Sequence, residues 1–423
     1  MENLPEDITL NILSRLPAES VLECKLVSPN WLRILHCNAT YFAVKHLHHQ
    51  LRQLADYKAK HGGADKLDSG CGILYAMRYD RRLLKAKLCF GNYGQRMSHE
   101  DLSHLHCQNM HSPLDQYGVS KLKTINHDPF RTWENQLIVG SCNGLVCVNL
   151  MSRHGFEDPI YVCNPLTREY IYLDKFNQDC KFQDSMFIGF GYLSQTDEYK
   201  VVRIFKGQDL MAQVQVYTLG DGIGWRDKGE LDMLLQSEPG IFVNGSLYWF
   251  ECLEQEIVAF DLVSEVFQVI QSPTCLDSTL NSYTCLCLLG GCLCLAYQDP
   301  YGPLELWLYR EEKDSGRGTN DKKHCFWSKE YMIASETKGL YTPVALTERG
   351  EILLWTGKML CCYDPKTACL VELASCSDMS KSFRKGQTVL HMNSFVSLKA
   401  LGEKFAKISR RQCDQLLESS TSK

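Results

Sequence analysis

Tight-turn signals recur between apolar runs in the C-terminal two thirds of this chain, and they constrain its fold more than any other feature. They are Asn143-Gly144, Asn244-Gly245, Gly290-Gly291 and Arg349-Gly350, with a further pair of glycines around residue 190. Dipeptides of this kind are typical of the point where two strands of a hairpin meet. Their spacing of roughly 45 to 60 residues leaves room for several strands in each unit.

A second kind of turn follows some of these signals at a similar distance. It consists of an Asn or Asp, a short turn and a Ser or Thr, and it occurs at residues 164–167, 261–264 and 364–367. The predicted strands are apolar on both faces, as expected when each unit stacks between two neighbours. These features predict a mainly β chain in which residues 131–402 form a β-propeller-like domain of about six blades.

A ring of blades needs its two chain ends to meet, because an open ring leaves an unpaired strand edge and an unburied blade face. Residues 393–398 have the pattern of a buried strand. We therefore predict that residues 395–398 pair in the same sheet as the strands near residues 136–147. Residues 403–423 form a polar tail, which we expect to be dispensable for folding.

Residues 1–42 have a helical pattern instead. Pro5, Pro17 and Pro29 each suit the first turn of a helix, and Ser28 is a good N-cap for the third one. Three helices in about 40 residues cannot bury all of their apolar side chains among themselves, so some are expected to face a partner. Residues 43–130 continue with a helix and an irregular stretch, and we interpret them as a linker that joins the propeller.

The charge balance argues against several classes of function. The chain has 423 residues, of which 45 are Lys or Arg and 50 are Asp or Glu, for a net charge of -5. A dedicated binder of nucleic acid or of anionic membranes would need a basic excess. No apolar run approaches the roughly 18 residues that span a bilayer. The N-terminus is acidic and contains Pro5, which predicts no leader peptide.

Cysteine is abundant, with 21 residues in the chain. The count is odd and the chain is far longer than a small disulfide scaffold. This predicts a reducing compartment, the cytoplasm and/or the nucleus, where most thiols act as small buried apolar groups.

Four of these cysteines flank Gly290-Gly291, at positions 285, 287, 292 and 294. A two-residue hairpin loop there would pair residue 287 with 294 and place all four thiols on one face. Cysteines two apart on a strand are separated by about 7 Å, whereas the sulfur ligands of a zinc ion are roughly 4 Å apart. The pattern therefore predicts packing and no metal.

Other metal or catalytic patterns are weaker. One loop contains good ligand types at spacings that fit no zinc motif, and we interpret it as a solvated loop: His99, His104, His106, Cys107 and His111. We interpret His46, His48 and His49 as a wet helical face. No phosphate-binding loop, dinucleotide fingerprint or nucleophile motif is present. The sequence predicts no metal, no cofactor and no catalytic residue.

The motifs taken together resemble a known family, the plant F-box proteins with a C-terminal F-box-associated, kelch-like interaction domain. The matching N-terminal residues are 4–8, 12–17, 20–22, 27–28 and 31. The matching C-terminal residues are 141–147, 164–170, 189–192, 197–203, 243–249 and 394–398. One departure is Pro29, where the family usually has a basic residue. Proline also suits this first helical turn.

The resemblance implies a substrate-recognition subunit of an SCF-type (Skp–cullin–F-box) ubiquitin ligase. The F-box, residues 1–42, would bind a Skp-type adaptor and through it the cullin and the RING subunit. The F-box-associated domain, residues 131–402, would capture an unidentified target protein for ubiquitination and degradation. The chain itself would make or break no bond, and its contribution would be proximity.

Eight apolar residues are our candidates for binding the adaptor. They are Leu4, Pro5, Ile8, Leu13, Leu16, Pro17, Val21 and Val27. For Leu13, Val21 and Val27, packing between the helices is an equally good interpretation. We interpret Trp31 as a core residue. No residues that bind the target can be chosen from the sequence.

A second class of function stays open, namely a propeller-based small-molecule binding module or enzyme with an unrelated N-terminal helical contact. The two hypotheses differ in one requirement. The ligase receptor needs residues 1–42 to bind the adaptor, whereas the small-molecule module would keep its activity without them.

Overall fold

The structure is a computed structural model. It describes residues 4–60, 71–80, 85–92, 135–151, 160–174, 186–206, 211–236, 238–273, 282–299, 302–311, 325–334, 340–347, 349–356, 359–375 and 388–408. The histidine-rich loop at residues 99–111 lies outside the described residues.

Four helices form the N-terminal part: α1 (Glu6–Leu13), α2 (Ala18–Val27), α3 (Pro29–Cys37) and α4 (Ala39–Lys60). The prediction of three short helices followed by a longer one is confirmed. Pro5 and Pro17 each precede a helix, and the Ser28 hydroxyl accepts a hydrogen bond from the Trp31 amide at 3.5 Å, as an N-cap should.

The rest of the described chain consists of strands and the turns and segments that connect them. The first strands are β1 (Cys71–Asp80), β2 (Lys85–Asn92), β3 (Asn135–Cys142), β4 (Leu145–Met151), β5 (Ile160–Cys163) and β6 (Glu169–Tyr172). The next are β7 (Met186–Leu193), β8 (Glu198–Lys206), β9 (Ala212–Thr218), β10 (Trp225–Leu231), β11 (Ile241–Val243), β12 (Ser246–Phe250), β13 (Ile257–Asp261) and β14 (Val266–Ile270). The last are β15 (Tyr283–Leu289), β16 (Cys292–Gln298), β17 (Leu304–Glu311), β18 (Cys325–Ile333), β19 (Thr342–Leu346), β20 (Ile352–Trp355), β21 (Met359–Asp364), β22 (Cys369–Ser375), β23 (Thr388–Met392) and β24 (Lys407–Ile408).

These strands form a β-propeller. Blades 1 to 5 are consecutive antiparallel sheets that begin at β3, β7, β11, β15 and β19. Their innermost strands contact one another in that order, and β23 lies between β19 and β3. The structure thus has five complete blades where the sequence predicts about six, and a three-stranded sheet of β2, β1 and β23 fills the remaining gap in the ring.

This three-stranded sheet joins distant parts of the chain. Strand β1 pairs with β23, with Ile73 opposite Leu390. Strands β1 and β2 come from residues 43–130, which we interpret from the sequence as a linker, so this segment also supplies two strands of the ring. The sequence pattern could not show this, because the partner strand lies more than three hundred residues away.

The C-terminal end closes the ring differently from the prediction. Residues 393–397 are not a strand, and the predicted pairing of residues 395–398 with the strands near residues 136–147 is wrong. Side-chain hydrogen bonds hold this segment instead, because the buried Asn164 Nδ2 donates to the carbonyl oxygens of Ser394 at 3.0 Å and Val396 at 2.7 Å. Strand β24 lies entirely within residues 403–423, which we predicted as a tail, and it pairs with β6 at the outer edge of blade 1.

The turn at Asn143-Gly144 shows why glycine is needed at its position. Gly144 has a φ of 89°, in the region that favours glycine. A Cβ atom there would lie 2.1 Å from Ser394 Oγ. That hydroxyl donates to the Asn143 carbonyl at 2.6 Å, so the bare turn lets the C-terminal segment approach blade 1.

The sequence spacing predicts a turn at the glycines near residue 190. This prediction is wrong, because both glycines lie inside the inner strand β7. A Cβ on Gly189 would lie within 3 Å of Leu247 and Trp249, and one on Gly191 within 3 Å of Leu262 and Phe242. These glycines therefore let blade 3 pack closely on blade 2.

The hairpin predicted at Gly290-Gly291 is confirmed. Cys287 lies opposite Cys294 and Leu289 opposite Cys292. The cysteine face of this hairpin packs in the apolar cluster shared by blades 4 and 5, while its leucine face packs in the cluster shared by blades 3 and 4. Both faces are buried because each blade packs between two others.

A charged cluster also joins blades 2 and 3. Glu265, whose side chain is 8% exposed, accepts from Lys200 at 2.9 Å and from Arg226 at 2.7 Å, and it also contacts Lys228. Burial alone would raise the pKa of Glu265, but the hydrogen bonds from Arg226, Lys228 and Lys200 hold it well below its ordinary value. The carboxylate therefore stays ionised in the folded protein.

We expect Asn164→Asp to lower the free energy of unfolding by about 3 kcal/mol, because a buried carboxylate oxygen would replace the donor that faces two carbonyl oxygens. Asp364→Asn is the matched control, since Asp364 occupies the same turn position in blade 5, where it accepts from Lys366 N and Thr367 Oγ1. Urea denaturation measures both. Equal midpoints for the two variants would contradict this role of Asn164.

We expect Glu265→Gln to destabilise the protein by about 2 kcal/mol near pH 7, because three cations lose their shared carboxylate. A depressed pKa stabilises the fold above the ordinary value of 4.5, and this stabilisation is lost as the pH falls below that value. The difference in stability between wild type and variant should therefore be constant from pH 6 to 8 and shrink below about pH 4.5. A difference that grows on acidification would refute this assignment.

Candidate protein-interaction site

The four helices share a small apolar core. Its buried members include Leu10 and Leu13 of α1, Val21 of α2, and Ile34 and Leu35 of α3. Each helix turns one face to this core, as the helical spacing of the apolar residues indicates. The opposite faces remain exposed to solvent.

The structure divides the eight predicted adaptor-binding residues into three groups. Five are exposed, Leu16 is half-buried, and two are buried in the core; the exposed ones are Leu4, Pro5, Ile8, Pro17 and Val27. Leu13 and Val21 are 2% and 0% exposed and belong to the apolar core of the helices. They pack the helices together, which is the alternative interpretation. Trp31 is half-buried against the same core.

The sequence analysis did not include Ile12, Leu26 and Leu32, which are also exposed. Ile12 is four residues after Ile8, so the two lie on one face of α1, and Leu4 lies just before the helix, ahead of the N-cap Pro5. Leu26 is 88% exposed at the end of α2. The i, i+4 spacing from Ile8 could have indicated Ile12, whereas no signal in the sequence singles out Leu26.

The start of α1 is fixed by polar contacts around the apolar residues. The Thr9 hydroxyl donates to the Pro5 carbonyl at 3.1 Å. Glu6 accepts from Asn38 Nδ2 at 3.1 Å, which ties the first turn of α1 to the end of α3. The exposed apolar row of Leu4, Ile8 and Ile12 is therefore held on a folded surface.

Phe395 inserts between the helices and the propeller. It belongs to the apolar core of the helices although it lies in the C-terminal segment. Its ring lies 5.5 Å from Phe42 and 5.1 Å from His46, and Lys25 Nζ lies 5.2 Å from its centre. Leu166, in the β5–β6 turn of blade 1, packs against the same core.

Polar contacts surround this aromatic junction. Asn393 Nδ2 donates to Glu19 of α2, and Gln50 Nε2 of α4 donates to the Asn393 carbonyl at 3.1 Å. His46 is buried and its Nε2 lies 2.9 Å from the Leu16 carbonyl. The interpretation of His46 as part of a wet helical face is therefore wrong, because the propeller covers this side of α4.

A chain of hydrogen bonds continues from the junction into the ring. His391 Nε2 lies 3.2 Å from Asn393 Oδ1, and His391 Nδ1 lies 2.8 Å from Ser141 Oγ on β3. Burial lowers the pKa of His391 to about 4, so its imidazole is neutral near pH 7. The chain joins α2, β23 and β3, and this fixes the helices to the innermost strands.

The buried thiols are poor nucleophiles. Burial raises the pKa values of Cys142, Cys147 and Cys163 above that of an ordinary thiol. Among the described residues, no group of three or more His, Cys, Asp or Glu side chains is arranged to hold a metal ion. No helix in the described part of the chain is both long enough and apolar enough to cross a membrane.

Comparisons with known proteins agree with this division of the chain. A model of the F-box associated beta propeller domain matches residues 97–392, and a model of the F-box domain matches residues 1–40. An F-box protein from Arabidopsis thaliana is 25% identical over 419 residues, which cover 86% of each chain. An F-box/kelch-repeat protein from the same plant is 24% identical over 321 residues, which cover 73% of this chain and 76% of its own.

Solved structures are less similar. A chain of a nidogen/laminin complex aligns with 78% of this chain and with its own full length, at 12% identity and a TM-score of 0.36. A prolyl oligopeptidase aligns with 79% of this chain and 55% of its own, at 11% identity and a TM-score of 0.37. We draw no functional conclusion from this degree of similarity.

We expect Phe395→Ala to uncouple the helices from the propeller, because it removes the ring that contacts Phe42, His46 and Lys25. Calorimetry should show a separate, earlier transition for the helices and a loss of about 3 kcal/mol. Phe405→Ala is the matched control, since Phe405 is 81% exposed in the same C-terminal region. A single transition at the wild-type temperature in Phe395→Ala would contradict the proposed coupling.

Proposed function

Because this chain belongs to the family of F-box proteins with an F-box associated beta propeller domain, we propose that it is the substrate receptor of an SCF-type ubiquitin ligase. Its F-box and its propeller make it an F-box substrate-adaptor protein. Beyond this role, we propose that it acts within an SCF-type complex. Its F-box would bind a Skp-type adaptor, and through the adaptor a cullin and a RING subunit.

The exposed apolar row on the F-box is the observation that carries this proposal. Leu4, Ile8 and Ile12 are 38%, 44% and 41% exposed; Ile8 and Ile12 are one turn apart on α1, and Leu4 lies just before the helix. A folded helix does not need two exposed apolar side chains one turn apart with a third just before its start, and such a surface is typical of a helix that packs against a partner. Val27 and Leu26 at the end of α2 supply further exposed apolar surface.

The rigid junction at Phe395 supports the same proposal. A receptor that acts by proximity has to hold its target in a defined position relative to the ligase. The contacts of Phe395, Asn393 and Gln50 join the F-box to the C-terminal segment, which is bonded to blade 1. No covalent step is required of this chain, and we propose that it is non-catalytic.

The proposed site of action is the cytoplasm and/or the nucleus. The abundance of cysteine supports this, since an oxidising compartment would favour disulfides among the 21 thiols. A reducing compartment leaves the buried thiols of the blades as apolar packing groups.

We expect Leu4→Ala combined with Ile8→Ala to weaken binding of a purified Skp-type adaptor at least about thirty-fold. Loss of an apolar anchor at an interface costs about 2 kcal/mol, or about thirty-fold in affinity. Both residues are exposed, so thermal stability should not change. Titration calorimetry of the full chain with the adaptor measures the affinity.

Ile223→Ala combined with Phe405→Ala is the matched control. Both residues are exposed and apolar, and they lie on the propeller and the C-terminal segment. This control should bind the adaptor like the wild type. If the Leu4 and Ile8 variant binds as tightly as the control, the F-box does not use this row, and the proposed ligase role loses its main support.

A further inference from the structure

The two ends of the propeller ring have different surroundings. Neighbouring strands of a blade are antiparallel, so the first and third turns of every blade lie at one end of the ring. The F-box and the C-terminal segment contact that end at blade 1, through Leu166 and Asn143. The opposite end carries the β12–β13 loop and the connection from β10 to β11, and it faces away from the F-box.

Two exposed leucines lie on neighbouring segments at this opposite end. Leu234, in the β10–β11 connection, is 48% exposed, and Leu253, in the β12–β13 loop, is 72% exposed. The Cys252 amide donates to the Leu234 carbonyl at 2.8 Å, so the two segments are bonded to each other. We call Leu234 and Leu253 the leucine pair.

Hydrogen bonds from its own backbone to a buried carboxylate order the loop that carries Leu253. The side chain of Glu251 is buried and accepts from the Leu253 amide at 3.0 Å and from the Glu254 amide at 2.6 Å. The Gln236 amide donates to the Phe250 carbonyl at 2.8 Å. The leucine pair is thus presented on ordered backbone, and binding there would require little ordering of the protein.

The charge of this region is unusual. Residues 229–309 contain eleven Asp and Glu residues and no Lys, Arg or His, while the whole chain has a net charge of -5. Two of these carboxylates are paired within the fold, Glu265 with cations of blade 2 and Glu305 with Lys329. Asp232, Glu254 and Asp299 are exposed at the end of the ring that carries the leucine pair.

We propose that the leucine pair and the carboxylates of Asp232, Glu254 and Asp299 form the target-recognition surface. Its occupant is a polypeptide segment in which Lys or Arg residues alternate with apolar residues. This inference rests on the proposed function, since it names the class of target for the same receptor.

Charge complementarity selects this occupant. An acidic segment would be repelled by three exposed carboxylates, and a wholly apolar one would cover them without a counter-charge. A segment with basic residues beside apolar ones satisfies both features. Because this surface lies opposite the F-box, the target and the adaptor would not compete for space.

The test uses the full chain in complex with the adaptor and a displayed library of random 12-residue peptides. Peptides selected on the wild type should be enriched in Lys and Arg beside apolar residues. The two selected peptides that bind most tightly are then synthesised, and their affinities are measured by fluorescence polarisation at 50 and 300 mM salt. The double variant Asp232→Lys, Glu254→Lys should bind both peptides at least about ten-fold more weakly than the wild type. The double variant Leu234→Ser, Leu253→Ser should show the same loss of affinity.

Glu23→Lys with Asp56→Lys is the matched control, because it makes the same change of charge at two exposed helical residues far from this end of the ring. It should leave peptide affinity unchanged, and binding to the wild type should weaken at high salt. Selected peptides without a basic excess, or peptides that bind the charge-reversed variant as well as the wild type, would overturn the inference. Co-purification of the adaptor is measured on every variant, so a failure of the ligase proposal appears separately as loss of adaptor from the wild type.

Discussion

The buried side chain of Asn164 makes four hydrogen bonds, and both the closure of the ring and the position of the F-box depend on them. Its oxygen accepts from the amides of Leu166 and Thr167 and so forms the turn between β5 and β6. Its nitrogen donates to the carbonyls of Ser394 and Val396. Phe395 lies between these two residues, so the same amide group aims its ring into the core of the F-box.

The chemistry of this one position differs from that of its counterparts. Asp261 in blade 3 and Asp364 in blade 5 also accept hydrogen bonds from the amides of their own turns. A carboxylate suffices there, because those side chains have only donors to satisfy. In blade 1 the side chain must also donate to two carbonyl oxygens, and only an amide can do both. The similar turns in the sequence thus serve different purposes.

Features that depend on neighbouring residues could be predicted from the sequence, whereas features that depend on contacts between distant parts of the chain could not. The Gly290-Gly291 hairpin and the helix starts follow from neighbouring residues, and the structure confirms them. The pairing of β1 with β23 and the non-strand path of residues 393–397 depend on contacts across the whole chain. On the F-box, helical spacing indicates an apolar face. It cannot tell that Leu13 faces the core while Ile12 faces solvent, since both lie near its boundary.

The same limit explains why the sequence pointed to no target site. An acidic stretch such as residues 229–309 has meaning only when its placement on the ring is known, because paired carboxylates like Glu265 contribute no field at the surface. The topology places Glu265 between blades 2 and 3 and pairs Glu305 with Lys329 within blade 4, and it leaves Asp232 and Glu254 at the far end beside two exposed leucines. A rigid ring between two opposed binding surfaces fixes the distance between them. A receptor that works by proximity needs that fixed distance more than it needs any reactive group.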